Sequence, residues 1–232
     1  MQNPLELNWQ NTSLKDAKAI REQCSNILRR RRSIQGDVGV RILDYGTGVK
    51  GVMRTVLQWE MKPEDTLLLY DPFAPIQPPS RENVRILPAD ARPDEPVDLL
   101  TMSHVLPYIE PDGARELLST FRDTRPQTQL IVVDYTLKGR DREKILGMMD
   151  SAAEAEWLRK LGPDEFIRTH TRYTLEQLIQ LFQESGYANA NATPLPSGNR
   201  AMVVAGHDPY HTLDTDTQQC IDMDELNELF GD

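Results

Sequence analysis

A chain of 232 residues with a formal net charge of −10 suits one α/β core with terminal additions, and its acidity argues against a polyanion as partner, because Lys and Arg supply most non-specific nucleic-acid affinity. Hydrophobic residues make up 39%, below the ~45–50% of average globular usage, so the expected fold has a polar surface. The two cysteines, Cys24 and Cys220, lie near opposite ends, which excludes a disulfide framework and points to a reducing, cytoplasmic setting.

No stretch approaches the ~18 apolar residues of a membrane span, and the opening residues Asn3, Glu6 and Asn8 lack the basic and apolar order of a signal peptide. No membrane contact is therefore expected. From 13 to 32, Leu14, Ala17, Ile20, Cys24, Ile27 and Leu28 recur at three- and four-residue steps, which predicts an amphipathic helix with Ser13 and Asp16 as its capping signal. Arg29, Arg30, Arg31 and Arg32 close it. Cations are favoured at a helix C-terminus, so these four read as a solvated helix end in preference to a nucleic-acid patch.

Short apolar runs follow at 40–45, 66–70, 84–87, 97–102 and 130–135, bounded by Gly, Pro and Asp, as strands buried on both faces of a parallel sheet require. Between them Val52, Met53, Val56 and Leu57, then Ala114, Leu117, Leu118 and Phe121, have helical spacing, with Pro111 suited to a first turn. Strands alternating with helices mean a doubly wound α/β sheet. The rhythm then changes: 142–161 reads as an extra helix ended by Gly162 and Pro163, with Ile145, Met148, Met149, Ala152 and Trp157 near one face. The next helix, 174–186, carries a capping box from Thr174 and Gln177 and a left-handed stop at Gly186. Runs at 188–193 and 201–205, joined across Pro194, Pro196, Ser197, Gly198 and Asn199, read as a terminal antiparallel hairpin. The expected organisation is an N-terminal helical cap over 1–37, a core over 38–207 with a helical insertion at 138–173, and an acidic tail over 208–232. In that tail the acids from Asp214 to Glu225 echo a calcium loop, but Gln219 stands where such a loop needs glycine, so a solvated tail and no metal site are expected.

Chemistry concentrates at Asp44-Tyr45-Gly46-Thr47-Gly48-Val49-Lys50-Gly51. Glycines directly after a strand allow a sharp turn and close ligand approach, and the free N–H groups of the following helix favour anionic ligand groups. The glycine spacing also matches the dinucleotide fingerprint, and Asp71 lies where that fold places its ribose-binding acid. Asp44, two residues before the first glycine, and Asp71, directly after the second strand, favour a different nucleoside.

Through these residues the chain resembles the class I S-adenosylmethionine-dependent methyltransferases. Their acid-x-Gly-x-Gly signature matches Asp44 to Gly48, their acid ending strand two matches Asp71, and their Asp after strand three matches Asp90. The segment with Ser103, His104, Val105, Leu106 and Tyr108 looks like the family's cofactor-side loop, and the C-terminal hairpin matches its closing half. Lys50 stands where the family usually has a small residue.

The resemblance implies a Rossmann-like methyltransferase fold, with seven mostly parallel strands, the terminal hairpin and added helices. It also implies S-adenosylmethionine as cofactor. One carboxylate can accept both vicinal ribose hydroxyls, the role implied for Asp71. Asp44 would face the cationic methionine end and Asp90 the adenine amine. Pro72, Phe73 and Ala91 would border the ring, and Gly46, Thr47, Gly48, Ser103 and His104 would complete the contacts. Methyl transfer from a sulfonium needs no acid for its leaving group, so positioning and desolvation can supply much of the catalysis. His104, Tyr108, His170 and Tyr173 are the candidates for base or acceptor contacts, with Tyr135 beside them, and a small-molecule acceptor is favoured over nucleic acid. A nicotinamide-dependent oxidoreductase, a nucleic-acid methyltransferase and a non-catalytic cofactor-binding module are the competing readings.

Overall fold

The computed structural model describes residues 14–36, 38–48, 52–72, 75–91, 95–147 and 158–206. In chain order these form α1 (Leu14–Gln35), β1 (Arg41–Tyr45), α2 (Val52–Glu60), β2 (Thr66–Tyr70), β3 (Val84–Ile86) and β4 (Leu99–Ser103). A 3₁₀ turn (Leu106–Tyr108), α3 (Pro111–Thr124), β5 (Gln129–Tyr135), α4 (Arg142–Gly147), α5 (Pro163–His170), α6 (Leu175–Glu184), β6 (Asn191–Pro194) and β7 (Arg200–Gly206) follow. The seven strands make one sheet in the order β3-β2-β1-β4-β5-β7-β6. The first five are parallel, while β7 runs antiparallel to both β5 and β6. The expected doubly wound sheet with its closing hairpin is the architecture observed.

Alternate residues of each strand feed two cores, as the two-residue side-chain period requires. On one face Ile42, Leu67, Leu69, Leu99, Ile131 and Val133 pack with α1 and α2. On the other Leu43, Leu68, Leu100, Met102, Leu130 and Val132 pack with α3 and α6. Every residue of β5 is buried, which explains its nearly unbroken apolar run. Ala17, Ile20, Cys24, Ile27 and Leu28 of α1 are all buried, and at ~1.5–3 kcal/mol for each fully buried large aliphatic side chain this seam holds the helix firmly to the sheet.

Local signals account for several boundaries. Pro111 begins α3, where its missing N–H costs nothing. The capping box forms as expected, with Gln177 N–H donating to Thr174 Oγ1 at 3.2 Å and Thr174 N–H to Gln177 Oε1 at 3.1 Å.

Other expectations need correction. The cap expected from Ser13 and Asp16 is not among them, because Ser13 lies outside the described residues; Asp16 stands in the first turn of α1, fully buried, where it also accepts from Ser197 N–H at 2.8 Å and pairs with Arg200 at 3.5 Å. The arginine cluster is not uniformly solvated. Arg31 is buried and donates to the Gln127 carbonyl at 2.8 Å, and Arg32 donates to the Glu60 carbonyl at 2.9 Å and pairs with buried Asp65. Only Arg29 and Arg30 match the solvated reading. Residues 163–170, unassigned by the sequence reading, form α5, because Pro163 that ends one helix also starts the next. Residues 188–190 are a turn, closed by Ala190 N–H donating to the Tyr187 carbonyl at 3.2 Å, so the hairpin begins only at Asn191. Lys50, Gly51, Phe73, Met148, Met149, Ala152, Trp157 and the acidic tail lie outside the described residues. Among the described residues no helix is long and apolar enough to cross a membrane.

Candidate functional site

Strand order reverses between β1 and β4: from β1 the chain proceeds to β2 and β3 on one side, then returns to β4 on the other. Ligands of open α/β sheets bind beyond the carboxyl ends of the strands at such a reversal. Asp44, Gly46, Thr47 and Gly48 stand there.

The glycine turn is tight. Gly46 N–H and Thr47 N–H both donate to the Tyr70 carbonyl, at 2.8 and 3.3 Å, and Gly46 and Gly48 have φ of +70° and +62°, a region open to glycine at little cost. A Cβ on Gly46 would lie 2.4 Å from Val105 Cγ2, whereas one on Gly48 would meet nothing within 4 Å among the described residues. The first glycine admits the loop after β4. Asp71 Oδ2 accepts from Gly48 N–H at 2.8 Å, which ties the end of β2 to the turn.

Asp44 is 1% exposed. Its Oδ1 accepts from Thr101 Oγ1 at 2.8 Å, while among the described residues no hydrogen bond of normal geometry reaches Oδ2, although the Thr47 hydroxyl stands close to the carboxyl. Burial pushes its pKa up to about 6, against the lowering pull of the Thr47 and Thr101 hydroxyls. A buried carboxyl with an unsatisfied oxygen is a costly arrangement, and a cation placed beside it would restore the charged form.

Around this centre the other candidates divide. Pro72 is half-buried beside Asp71, and Ala91 packs at the edge of the α3 and α6 core. Tyr70 donates its hydroxyl to the Ala89 carbonyl at 3.1 Å, which brings the segment bearing Asp90 over the end of β2. Asp90 itself is exposed.

Beyond β4, Ser103 and His104 lead into the 3₁₀ turn. His104 has φ of +56°, an uncommon conformation for a residue with a side chain. It is held there by its backbone N–H donating to the Val133 carbonyl at 2.9 Å and by Arg200. Its ring stacks on Tyr135 at 4.6 Å, Tyr135 meets His170 at 4.3 Å, and His170 stacks on Phe166 at 3.9 Å. Two of the four catalytic candidates, His104 and His170, thus join one ring stack through Tyr135. Tyr108 is 45% exposed on the 3₁₀ turn. Tyr173 belongs to the α3 and α6 core, its buried hydroxyl has no hydrogen-bond partner among the described residues, and burial pushes its pKa up to about 12.

Sequence reasoning missed Thr101, Asp134 and Arg200. Asp134 is fully buried and accepts from Tyr135 N–H at 2.9 Å through Oδ1, among the described residues no hydrogen bond of normal geometry reaches Oδ2, and burial raises its pKa well above the ordinary carboxylate value against the pull of the Tyr135 and Leu106 backbone N–H groups. A lone acid within the otherwise apolar run Leu130 to Tyr135 was the available signal. Arg200, 3% exposed on β7, carried none.

Comparison with known proteins agrees with this fold. No curated protein matches the chain in sequence. Among solved structures it is similar to the CurJ carbon methyltransferase, at 15% identity and a TM-score of 0.56 over 88% of this chain and 58% of that one. It is similar to CalO1, a methyltransferase in calicheamicin biosynthesis solved with SAH bound, at 15% identity and a TM-score of 0.51 over 78% and 53%. PigF with SAH matches at 15% identity and a TM-score of 0.50 over 72% and 50%. The chain therefore spans little more than half the length of these proteins. The profile of the family described as "Methyltransferase domain" matches residues 16–192, about three quarters of the sequence. On that match and on its sheet order, the chain belongs to the methyltransferase-domain family, with the fold of the class I S-adenosylmethionine-dependent enzymes.

Proposed function

We propose that this chain transfers the methyl group of S-adenosylmethionine to a small-molecule acceptor held above the carboxyl ends of β4 and β5. The observation that carries the reading is Asp44: a buried carboxyl with one oxygen that no hydrogen bond of normal geometry from the described residues reaches, beside a glycine turn at the strand-order reversal. The methionine end of S-adenosylmethionine brings cationic ammonium and sulfonium groups to that position, and a cation offsets the cost of ionising the buried acid. A nicotinamide dinucleotide would bring a pyrophosphate dianion instead, which the same acid repels. The residues therefore fit the sulfonium cofactor better than its main rival.

In this reading Gly46, Thr47 and Gly48 hold the methionine and ribose region, and Asp71 accepts the two ribose hydroxyls. Asp90, Pro72, Phe73 and Ala91 surround the adenine, while Ser103 and His104 wall the cofactor on the β4 side. The bound cofactor supplies an electrophilic methyl group. The protein aligns the acceptor and excludes water, which in well-oriented reactions accounts for several kcal/mol of barrier. His104, Tyr108, His170 and Tyr173 are the acceptor-side contacts. The acidic balance of the chain supports a small molecule over nucleic acid, and two cysteines far apart in sequence support a cytoplasmic setting.

Calorimetry tests the reading. S-adenosylmethionine or its demethylated product should bind in the micromolar range, with little heat from NAD or NADP. Asp71→Ala should weaken that binding by ~1–3 kcal/mol, the range for losing hydrogen bonds to a charged group. Tight dinucleotide binding with no response to the sulfonium cofactor would put the oxidoreductase reading first.

A further inference from the structure

We propose that Arg200 is a positioning residue: by occupying the lone pair of His104 it leaves that of His170 as the one offered to the methyl acceptor. The inference rests on the methyltransferase reading above and concerns which imidazole serves the acceptor.

A guanidinium has only donors. Its Nε lies 3.1 Å from His104 Nε2, so that nitrogen bears no proton and neutral His104 carries its hydrogen on Nδ1, 3.3 Å from Ser103 Oγ. A carbonyl oxygen can only accept. His170 Nδ1 lies 2.8 Å from the Phe166 carbonyl, so His170 also carries its hydrogen on Nδ1 and its lone pair on Nε2. The two rings share one tautomer, assigned here from hydrogen-bond chemistry, but they differ in use: the His104 lone pair is filled by Arg200, and among the described residues no hydrogen bond reaches Nε2 of His170.

Arg200 is well placed to enforce the difference. It donates to the Tyr135 hydroxyl at 3.0 Å, its guanidinium carbon lies 4.7 Å from the centre of the Tyr135 ring, and Asp16 of α1 pairs with it at 3.5 Å. Tyr135 is the ring between the two imidazoles. One buried cation from β7 thus touches His104 directly and His170 through Tyr135. Burial keeps both imidazoles neutral, with the charge of Arg200 adding to it; His104 is held well below the usual histidine range and His170 is lowered to about 4.

The acceptor implied is a neutral nucleophile with a hydrogen to give, such as a hydroxyl or thiol. It donates that hydrogen to His170 Nε2 while it attacks. As the bond from the acceptor atom to the methyl carbon forms and the methyl–sulfur bond breaks, the proton passes to Nε2. The products are the methylated acceptor, the neutral thioether and a His170 imidazolium, which returns its proton to solvent.

Long-range ¹H–¹⁵N correlation spectra of the full chain labelled with ¹⁵N-histidine test this directly. At neutral pH both His104 and His170 should be uncharged with the proton on Nδ1. In Arg200→Met, His104 should lose its fixed tautomer and titrate at higher pH, while His170 keeps its proton on Nδ1. Arg200→Lys, which preserves the charge facing Asp16 but not the guanidinium geometry, should move His104 in the same direction and serves if the Met variant fails to fold. If Arg200 does not set the His104 tautomer, both variants leave it unmoved. Phenol, added as a small neutral hydroxyl probe with the demethylated cofactor, should shift His170 Nε2 and not His104 Nε2. A proton on Nε2 of His170, an unmoved His104 in the variants, or phenol acting elsewhere overturns the proposal. Expected tautomers in a chain that binds no S-adenosylmethionine overturn the methyltransferase reading and this proposal with it. Normal cofactor binding with the wrong tautomer overturns this proposal alone.

Discussion

Asp44 makes the cofactor site sensitive to pH in a direction that can be worked out. Its pKa is raised to about 6 in the folded chain, with burial as the main cause. The stabilising contribution of such a group is fully present below its unfolded value near 3.8 and is lost as pH rises through about 6. Two pKa units correspond to about 3 kcal/mol, so the ligand-free chain should lose stability on that order across this window, relative to an Asp44→Asn variant lacking the titration. Cofactor affinity runs the other way. A cationic ligand needs the ionised acid, so affinity should fall about tenfold per pH unit below about 6, and Asp44→Asn should bind weakly at every pH. Paired denaturation and calorimetry over pH 4–8 would check both slopes; parallel slopes in wild type and variant would remove Asp44 from the site. The two glycines differ at the same scale. Gly46→Ala combines φ of +70° with a 2.4 Å approach to Val105 and should cost ~2–4 kcal/mol, the backbone cost plus overpacking. Gly48→Ala, with φ of +62° and no atom of the described residues within 4 Å of the new methyl, should cost only ~1–2 kcal/mol. Thermal unfolding separates them.

Elements show where chain-local signals suffice. Arg29 to Arg32 look alike in sequence, yet Arg32 serves Asp65, which also accepts from Val40 N–H at 2.9 Å and Lys62 N–H at 2.8 Å and so closes the turn before β2. Arg32→Ser should cost ~1–3 kcal/mol, the penalty of an under-satisfied buried charge, whereas replacing Arg29 and Arg30 with Ser should stay within ~0.5 kcal/mol of wild type. RNA binding that survives the latter pair of changes would not be owed to the exposed part of the cluster. The strands were legible because double burial leaves a nearly continuous apolar run, but their ends were not. Val40 and Val97 are buried without joining the ladder, since apolar burial continues past the last paired residue. The helix α5 was missed because its eight residues carry only a short apolar pattern, too little for the helical period to declare itself. In the site, the glycine turn and Asp71 were legible as neighbours in sequence order. Arg200 was not: its partners Asp16, His104 and Tyr135 lie 184, 96 and 65 residues away, and only the folded sheet brings them together.

At the scale of the whole molecule, α1 belongs to the fold's mechanics. Its buried residues share a cluster with β1, α2 and β4, and Asp16 fastens it to the loop between β6 and β7. Removing residues 1–36 should therefore abolish cooperative thermal unfolding rather than merely alter acceptor choice, and an intact transition in the truncated chain would refute that. Asp16→Asn, a milder change, should lower stability by ~1–3 kcal/mol while leaving the glycine turn and cofactor affinity unchanged.

The order of the sheet has one more consequence. Its outermost strands are its shortest, three residues in β3 and four in β6, and β6 ends on Pro194. Open strand edges are templates for pairing with a second chain, and short edges, charge and proline discourage it. Arg85, exposed in β3, adds charge on one side, and the missing N–H of Pro194 removes a donor on the other. Ribbon growth, the route by which exposed strands seed fibrils, is thus blunted at both margins, and the long, mostly apolar β5 stays enclosed between β4 and β7, where no neighbouring molecule can reach it.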